Sequence, residues 1–330
     1  MKFVCFILLV LQFTACSPGK PDIERRTQFL MGTLVEISVR DADKKKAQEA
    51  ITLAFREIAR IEKMMSYVLP DSEVSRVNHA AGTEFLPVSP EVLEVLREGI
   101  HWGTLSHGAL DITIGPLSQL WNFDEDLRKI PDAEVLRQTA SLVNFRDIQI
   151  EGEKIRLARP GMALNLSSVA KGFAVDRAIA VLKAQNIRDA IVNAGGDLMA
   201  IGTRDGKLPW KIGLQHPREP QQVLASFGVS EKAVATSGDY QRYFIENGIR
   251  YHHLLDPATG MPVHGVSSAT VIASSTMRAN ALAATSFLLG ADKGMQLINS
   301  IQGMEGMIVE ENGERRFSKG FQTQPEFKLQ

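Results

Sequence analysis

The sequence predicts an α+β protein, and three observations carry that expectation. Short segments alternate apolar and polar residues, longer segments repeat apolar residues at helical spacing, and the two kinds interleave without a fixed repeat, which excludes a solenoid. With 330 residues, 44% of them hydrophobic and 23% charged, the chain can bury a large core as one domain or two tightly joined lobes. A formal net charge of −1 and the lack of long charged runs argue against nucleic acid as a partner.

The elements follow in order. Lys2 precedes an apolar run, Phe3 to Phe13, that is too short to span a bilayer as a stable helix but suits the core of a signal peptide. Phe13, Thr14, Ala15 and Cys16 then resemble the cleavage box of bacterial lipoproteins, which makes residues 1–16 a lipoprotein signal with Cys16 as the acylated first residue of the mature chain. A plain signal peptide with an incidental cysteine is the alternative. The other cysteine, Cys5, lies inside the apolar run, so the mature body has no thiol pair for a disulfide or a Cys-ligated metal.

Residues 17–28 read as a polar tether and 29–330 as the folded domain. Phe29 to Val39 alternates as a strand with Met31 and Gly32 at its start. Residues 44–65 place Ala47, Ile51, Ala54, Ile58 and Ile61 on one face of an amphipathic helix, and a second helix covers 90–107. Leu142 to Leu157 reads as two short strands joined near Gly152, and Val169 to Ala184 as a helix. Ala190 to Gly202 reads as strand, turn and strand, and Trp210 to Gln215 as another strand. A strand over 267–273 feeds a helix from Met277 to Leu289.

Potential chemistry concentrates between Val234 and Pro262. There Thr236, Ser237, Asp239, Tyr240, His252, His253, Asp256 and Thr259 fall among glycine and proline, as polar groups positioned against a ligand do. Ser66, Tyr67 and Asp71 end the first long helix in a polar turn, which a solvated helix C-terminus also explains. Asp111 and Thr113 sit in an apolar run before a Gly-Pro turn, where a buried carboxylate needs a partner or a ligand. Ala163 to Asp176 begins as a strand and turns helical at Ser167 or Ser168. Amides at that helix start suit a phosphate, and Lys171 adds a point charge, whereas a serine N-cap is the plainer explanation. Two glycines in the turn Asn193 to Asp197 let the backbone approach a ligand closely.

Taken in order, these segments resemble the ApbE family of flavin transferases, the FAD:protein FMN transferases, which are commonly exported bacterial lipoproteins. The matching stretches are M-G-T at 31–33, S-Y-V-L-P-D-S-E-V-S-R-V-N at 66–78 and L-D-I-T-I-G-P-L at 110–117, followed by L-S-S-V-A-K-G-F-A-V-D at 166–176. N-A-G-G-D-L at 193–198, T-S-G-D-Y at 236–240 and H-H-L-L-D-P-A-T-G at 252–260 complete them. The resemblance implies a T-shaped α+β fold with mixed sheets and a central FAD cleft. It implies FAD as substrate, magnesium beside the pyrophosphate, and transfer of FMN to a threonine of an acceptor flavoprotein subunit of a redox complex, with release of AMP. The location it implies is the periplasmic or extracytoplasmic face of the bacterial cell envelope, with the lipid on Cys16 holding the protein to the membrane.

By motif position, the resemblance makes Met31, Tyr67, Ala109, Leu110, Asp111, Asn165, Lys171, Thr236, Ser237 and Leu255 the FAD contacts, with Tyr67 near the flavin ring. His253 is the candidate base, because its free pKa lies near working pH and the Asp256-Pro257 turn abuts it, while His252 is expected to point outward from a strand. The family's metal ligands are a backbone carbonyl, here that of Ser168, and an aspartate and a threonine one helical turn apart. Counted from Gly290, those two positions hold Asn280 and Ala284, and Asn165 also stands where the family has aspartate. Thr285 substitutes for Ala284 only if the helix bulges. Two other functions use the same cleft: an FAD-binding lipoprotein without transfer, and an FAD pyrophosphatase with water as acceptor.

Overall fold

The structure is a computed structural model that describes residues 23–121, 123 and 128–330. The signal peptide, Cys16 and residues 17–22 of the expected tether lie outside the described residues. Residues 23–28, read as tether, instead belong to the strand β1 (Ile23–Leu30), which pairs antiparallel with β2 (Thr33–Arg40). No residue of β1 is fully buried, so the strand is held by its backbone ladder and carries no apolar signal to read. Met31 and Gly32, expected to start a strand, are the two-residue turn of this hairpin, with φ of 54° and 68°. Positive φ at both positions matches the right-handed twist of the flanking strands.

α1 (Lys44–Met65) starts at Asp43, whose side chain accepts from the Lys46 amide, and buries the face read from the sequence. α2 (Glu73–His79) and the short β3 (Leu86–Pro87) lead to α3 (Pro90–Leu105), capped by Ser89 with proline at its first turn. α4 (Gly115–Trp121) and α5 (Ala133–Ala140) carry little periodicity at seven and eight residues. β4 (Ile148–Glu151) and β5 (Lys154–Leu157) make the expected hairpin, beginning later than Leu142 because residues 145–147 form a 3₁₀ turn. α6 (Ser167–Ala184) is followed by the hairpin β6 (Asp189–Ala194) and β7 (Asp197–Ile201), then by β8 (Trp210–Gln215) and β9 (Val223–Val229). β10 (Lys232–Gly238), the hairpin β11 (Tyr243–Glu246) and β12 (Ile249–His252), and β13 (Val266–Ala273) precede α7 (Thr276–Ser300). The expected helix ends as read at Leu289: Gly290, with φ of 81° and ψ of 170°, breaks α7 into two helices, and the second, which the sequence did not reveal, runs on to Ser300. β14 (Glu305–Glu310), β15 (Arg315–Phe317) and β16 (Lys328–Leu329) close the chain.

Eight strands form one antiparallel sheet in the order β1-β2-β6-β7-β10-β13-β14-β15. Its central strands are buried on both faces, and residues alternate between two cores. Met199, Ile201, Ala233, Ala235, Val271 and Ile308 face the main core with α1, α3, α6 and α7. Leu198, Val234, Ile272, Met307 and Val309 face the second core, under the small sheet β16-β9-β8. A third cluster joins α4 and α5 to β12, with Trp121 stacked on Tyr251 at 5.6 Å and donating Nε1–H to the Gly260 carbonyl at 2.7 Å. Leu255 belongs to this cluster and so sits at the edge of the site described next.

Candidate active site

A cleft of about 390 Å³ opens where the β1–β2 turn, the loop before α4, the start of α6, the end of β10, the segment after β12 and the first turns of α7 converge. The turn contributes Met31, and the loop before α4 contributes Ala109, Leu110 and Asp111. Asn165, Ser168 and Lys171 come from the start of α6, and Thr236 and Ser237 from β10. His253 and Leu255 follow β12, and Asn280 and Ala284 lie on α7. Segments up to about 250 residues apart in sequence thus meet in one cavity, as the ordered motifs predict. Tyr67 is not among the lining residues; it lies half-buried against the main core just after α1. A second, open groove of about 880 Å³ runs past Arg40, Lys46 and Lys183, whose charges are paired with Asp189, Asp41 and Glu231, and it holds none of the predicted residues.

Several polar residues brace this cleft without lining it, and sequence reasoning did not assign them that role. The expected strand at Ala163 is only a single bridge to Ile114, and Asn78 clamps the irregular segment after it through both ends of its amide: Nδ2 donates to the Leu164 carbonyl at 3.0 Å and Oδ1 accepts from the Leu164 amide at 2.7 Å. Asp176 on α6 caps α7, accepting from the amides of Thr276 at 2.8 Å and Met277 at 3.0 Å and from Ser275 Oγ at 2.9 Å. At Gly172 the two helices meet so closely that a Cβ would lie 2.4 Å from the Thr276 carbonyl oxygen. This packing aims the first turns of α7, with Asn280, at the cleft. Asp176→Ala is expected to lower stability by about 1–2 kcal/mol in urea unfolding, because the first two amides of α7 lose their acceptor even though Ser275 still caps the Arg278 amide.

The start of α6 is not capped by a serine. Its N-cap is Leu166, which gives no side-chain bond, while Asn165 Oδ1 accepts from the Ser167 amide at 3.1 Å and from Ser167 Oγ at 2.7 Å. Asn165 Nδ2 donates to Ser118 Oγ at 3.2 Å, a second lining residue not foreseen. Arg242 is another: it lines the cleft, its Nη2 donates to the Gly32 carbonyl at 3.3 Å, and its own carbonyl accepts the His253 amide at 3.2 Å. The only signal for it was its place in the run that begins T-S-G-D-Y.

Charges in and around the cleft are arranged in pairs. Lys171 Nζ lies 2.7 Å from Asp197 Oδ2, and Asp197, 1% exposed, has its pKa raised by burial against the pull of that ammonium. Asp111 found its partners inside the protein: Oδ1 accepts from the Thr113 amide at 2.8 Å and hydroxyl at 2.6 Å, and Oδ2 from the Phe145 amide at 2.8 Å. Burial still pushes its carboxyl above the usual range. Asp239 is a structural anion, held by both guanidinium nitrogens of Arg218 at 2.7 and 2.8 Å.

The two histidines differ in role. His252 does not point outward; it is 1% exposed, with Nε2 2.8 Å from the Val263 carbonyl and Nδ1 accepting the Leu254 amide at 3.3 Å. Those partners place its proton on Nε2 and leave it no free nitrogen. His253 lines the cleft, and its Nδ1 has no hydrogen-bond partner among the described residues. Asp256 does not orient it, since its oxygens accept from the Ala258 amide at 2.9 Å and Thr259 Oγ1 at 3.0 Å within their own turn. Burial, then Arg242, His252 and Lys171, push the His253 pKa down to about 3, so its imidazole is neutral at working pH. Burial pushes His252 down to about 4.

These depressed values have a stability consequence. As pH falls below the ordinary 6.5, the unfolded chain takes up protons that the folded histidines refuse, so their contribution is complete above 6.5 and declines toward 4 for His252 and 3 for His253. Urea unfolding across that range is expected to lose up to about 3 kcal/mol on account of His252 alone, and His252→Gln to flatten the slope.

The cleft does not fit a resident magnesium ion. Among the described residues no group of three or more His, Cys, Asp or Glu is placed to hold a metal. Asp111 is occupied by three donors, and Asp197 lies behind Lys171. Ala284 offers no ligand, and Thr285 does not replace it: its side chain is fully buried and Oγ1 donates to the Ala281 carbonyl at 2.7 Å, in a helix that departs from regular geometry only at Gly290. Asn280 presents a neutral amide, a poor substitute for carboxylate at a hard cation.

Comparison with known proteins agrees with the order of these segments. The chain is 35% identical over 272 residues to the FAD:protein FMN transferase of Vibrio cholerae, covering 81% of this chain and 80% of that protein. It is 30% identical over 315 residues to the FAD:protein FMN transferase of Treponema pallidum, covering 89% and 86%. The crystal structure of the ApbE protein of Thermotoga maritima superimposes with a TM-score of 0.85 at 31% identity, over 92% of this chain and 99% of that one. The flavin transferase ApbE of Vibrio cholerae does so with a TM-score of 0.82 at 30% identity, over 92% and 100%. The ApbE family model matches residues 31–308, from the hairpin turn that lines the cleft to the middle of β14. With its motifs meeting in one cavity and its sequence matched from Met31 onward, this chain belongs to the ApbE family.

Proposed function

We propose that the protein is an FAD:protein FMN transferase that moves FMN from FAD to a threonine of an acceptor flavoprotein subunit of a redox complex. The observation that carries this reading is a single cleft faced at once by a neutral, unpartnered imidazole nitrogen, an ammonium and a helix N-terminus. His253 accepts the proton as the threonine Oγ attacks the FMN phosphorus. The bond between that phosphorus and the bridging oxygen breaks, and AMP departs with the oxygen. Lys171 and the amides at the start of α6 stabilise the charge on the pyrophosphate. Met31, Leu110 and Leu255 supply apolar walls for the flavin nucleotide. Magnesium, which the family resemblance implies, has no carboxylate free to hold it among the described residues, so no step runs through it.

The substitutions at Asn280 and Ala284 favour a second reading, a protein that binds FAD without transferring FMN. Incubation with FAD and a threonine-bearing acceptor subunit separates the two. Flavin fluorescence covalently attached to the acceptor, with AMP released in equal amount, is the expected result. AMP without acceptor labelling indicates a pyrophosphatase, and bound FAD without AMP indicates the binding protein. The same proposal places the protein in the bacterial cell envelope, anchored on its periplasmic or extracytoplasmic face by lipid on Cys16; support for this comes from residues 1–16 alone.

A further inference from the structure

FAD's pyrophosphate is an anion, and a carboxylate facing it is repelled unless a cation stands between them, whereas an amide can face it directly as a donor. Asn280 is 4% exposed, lines the cleft, and its Oδ1 has no hydrogen-bond partner among the described residues. Buried polar side-chain atoms are nearly always partnered, so this carboxamide is set for a group that enters the cleft. The amide turns readily about its terminal torsion, which lets Nδ2 donate where Oδ1 now points. The same cleft is faced by Lys171 and by the positive end of α6, where Asn165 Oδ1 takes the Ser167 amide and the dipole of the helix adds to the ammonium. Neither nearby carboxylate is available to a cation, Asp111 being held by Thr113 and Phe145 and Asp197 by Lys171.

We infer that Asn280 is a direct hydrogen-bond donor to the pyrophosphate and that this cleft holds FAD without a divalent cation bound to the protein. The inference rests on the FAD-binding reading of the cleft. Lys171, the α6 amides and Asn280 together supply the positive field and the donors that a bridging metal otherwise provides.

Titration of the purified protein with FAD, followed by flavin fluorescence, is expected to give Kd values within about twofold of each other in EDTA and in magnesium. Asn280→Ala is expected to weaken binding about tenfold in both conditions. The isosteric Asn280→Asp keeps the test decisive if the alanine variant fails to fold: it is expected to lose about tenfold or more in EDTA and to regain affinity with magnesium. Mn²⁺ alone, followed by its free-ion EPR signal, is expected to stay free with the wild-type protein and to be captured by the double variant Asn280→Asp, Ala284→Thr, which sets a carboxylate and a hydroxyl one helical turn apart. Capture of Mn²⁺ by the wild-type protein, or a gain of about tenfold or more in its FAD affinity with magnesium, overturns the inference and leaves the FAD reading standing. Absence of FAD binding in both conditions overturns that reading, and the inference with it.

Discussion

His253→Ala is expected to slow FMN transfer by about 10²–10⁴-fold while FAD still binds. Among the described residues the imidazole Nδ1 has no hydrogen-bond partner, so its loss orphans no group there and falls on the proton-transfer step. The pH profile carries a second expectation. kcat/KM reports the free enzyme, in which burial and the cations around His253 hold its pKa near 3. No inflection from this residue is therefore expected in kcat/KM between about pH 5 and 8. Bound pyrophosphate is anionic and raises the imidazole pKa, so an inflection, where one arises, belongs to kcat. A kcat/KM that falls through the ordinary histidine range in the wild type, and not in His253→Ala, would show that the free-enzyme imidazole titrates there and that its depressed pKa is wrong.

Lys171→Ala is expected to be the most destabilising substitution in the cleft, by about 3–5 kcal/mol, because it leaves the carboxylate of Asp197 buried without its cation. The same change removes the positive charge facing the pyrophosphate, so FAD affinity falls as well. Stability and affinity are separable in the double variant. Adding Asp197→Asn neutralises the stranded charge and is expected to restore most of the urea stability, while FAD affinity stays low because no ammonium returns to the cleft. Recovery of both together would mean that Lys171 acts on FAD only by keeping the fold intact.

Legibility differed between kinds of element. α1 and α6 were readable: α1 from its amphipathic spacing, α6 as a helix over Val169 to Ala184 that turns helical at Ser167 or Ser168. β1 was lost because its residues contact solvent on both sides and its stability comes from backbone pairing with β2, which leaves no hydrophobic period. Gly290 marks a true helix end, and the second helix of α7 went unread because it buries only Gly294, Met295 and Ile298 and so carries a weak apolar period. In the site, the ordered motifs indicated nearly all the lining residues, from Met31 to Asn280. Tyr67 lies on the loop after α1, half-buried against the main core, where Ser66 Oγ accepts from the Val68 and Leu69 amides at 3.2 Å.

Residue identity was enough to name the polar groups of the cleft, the amides at Asn165 and Asn280, and the missing hydroxyl at Ala284, because these are local facts of the chain. Partnership was not. That Asp111 accepts from the Phe145 amide, Asp239 from Arg218 and Asp176 from the start of α7 follows from contacts between segments distant in sequence. Which polar group remains unpartnered, and so free to meet a substrate, is decided only when every other donor and acceptor has found its place. Tertiary packing therefore singled out His253 Nδ1 and Asn280 Oδ1 from a chain in which many histidines and asparagines look alike.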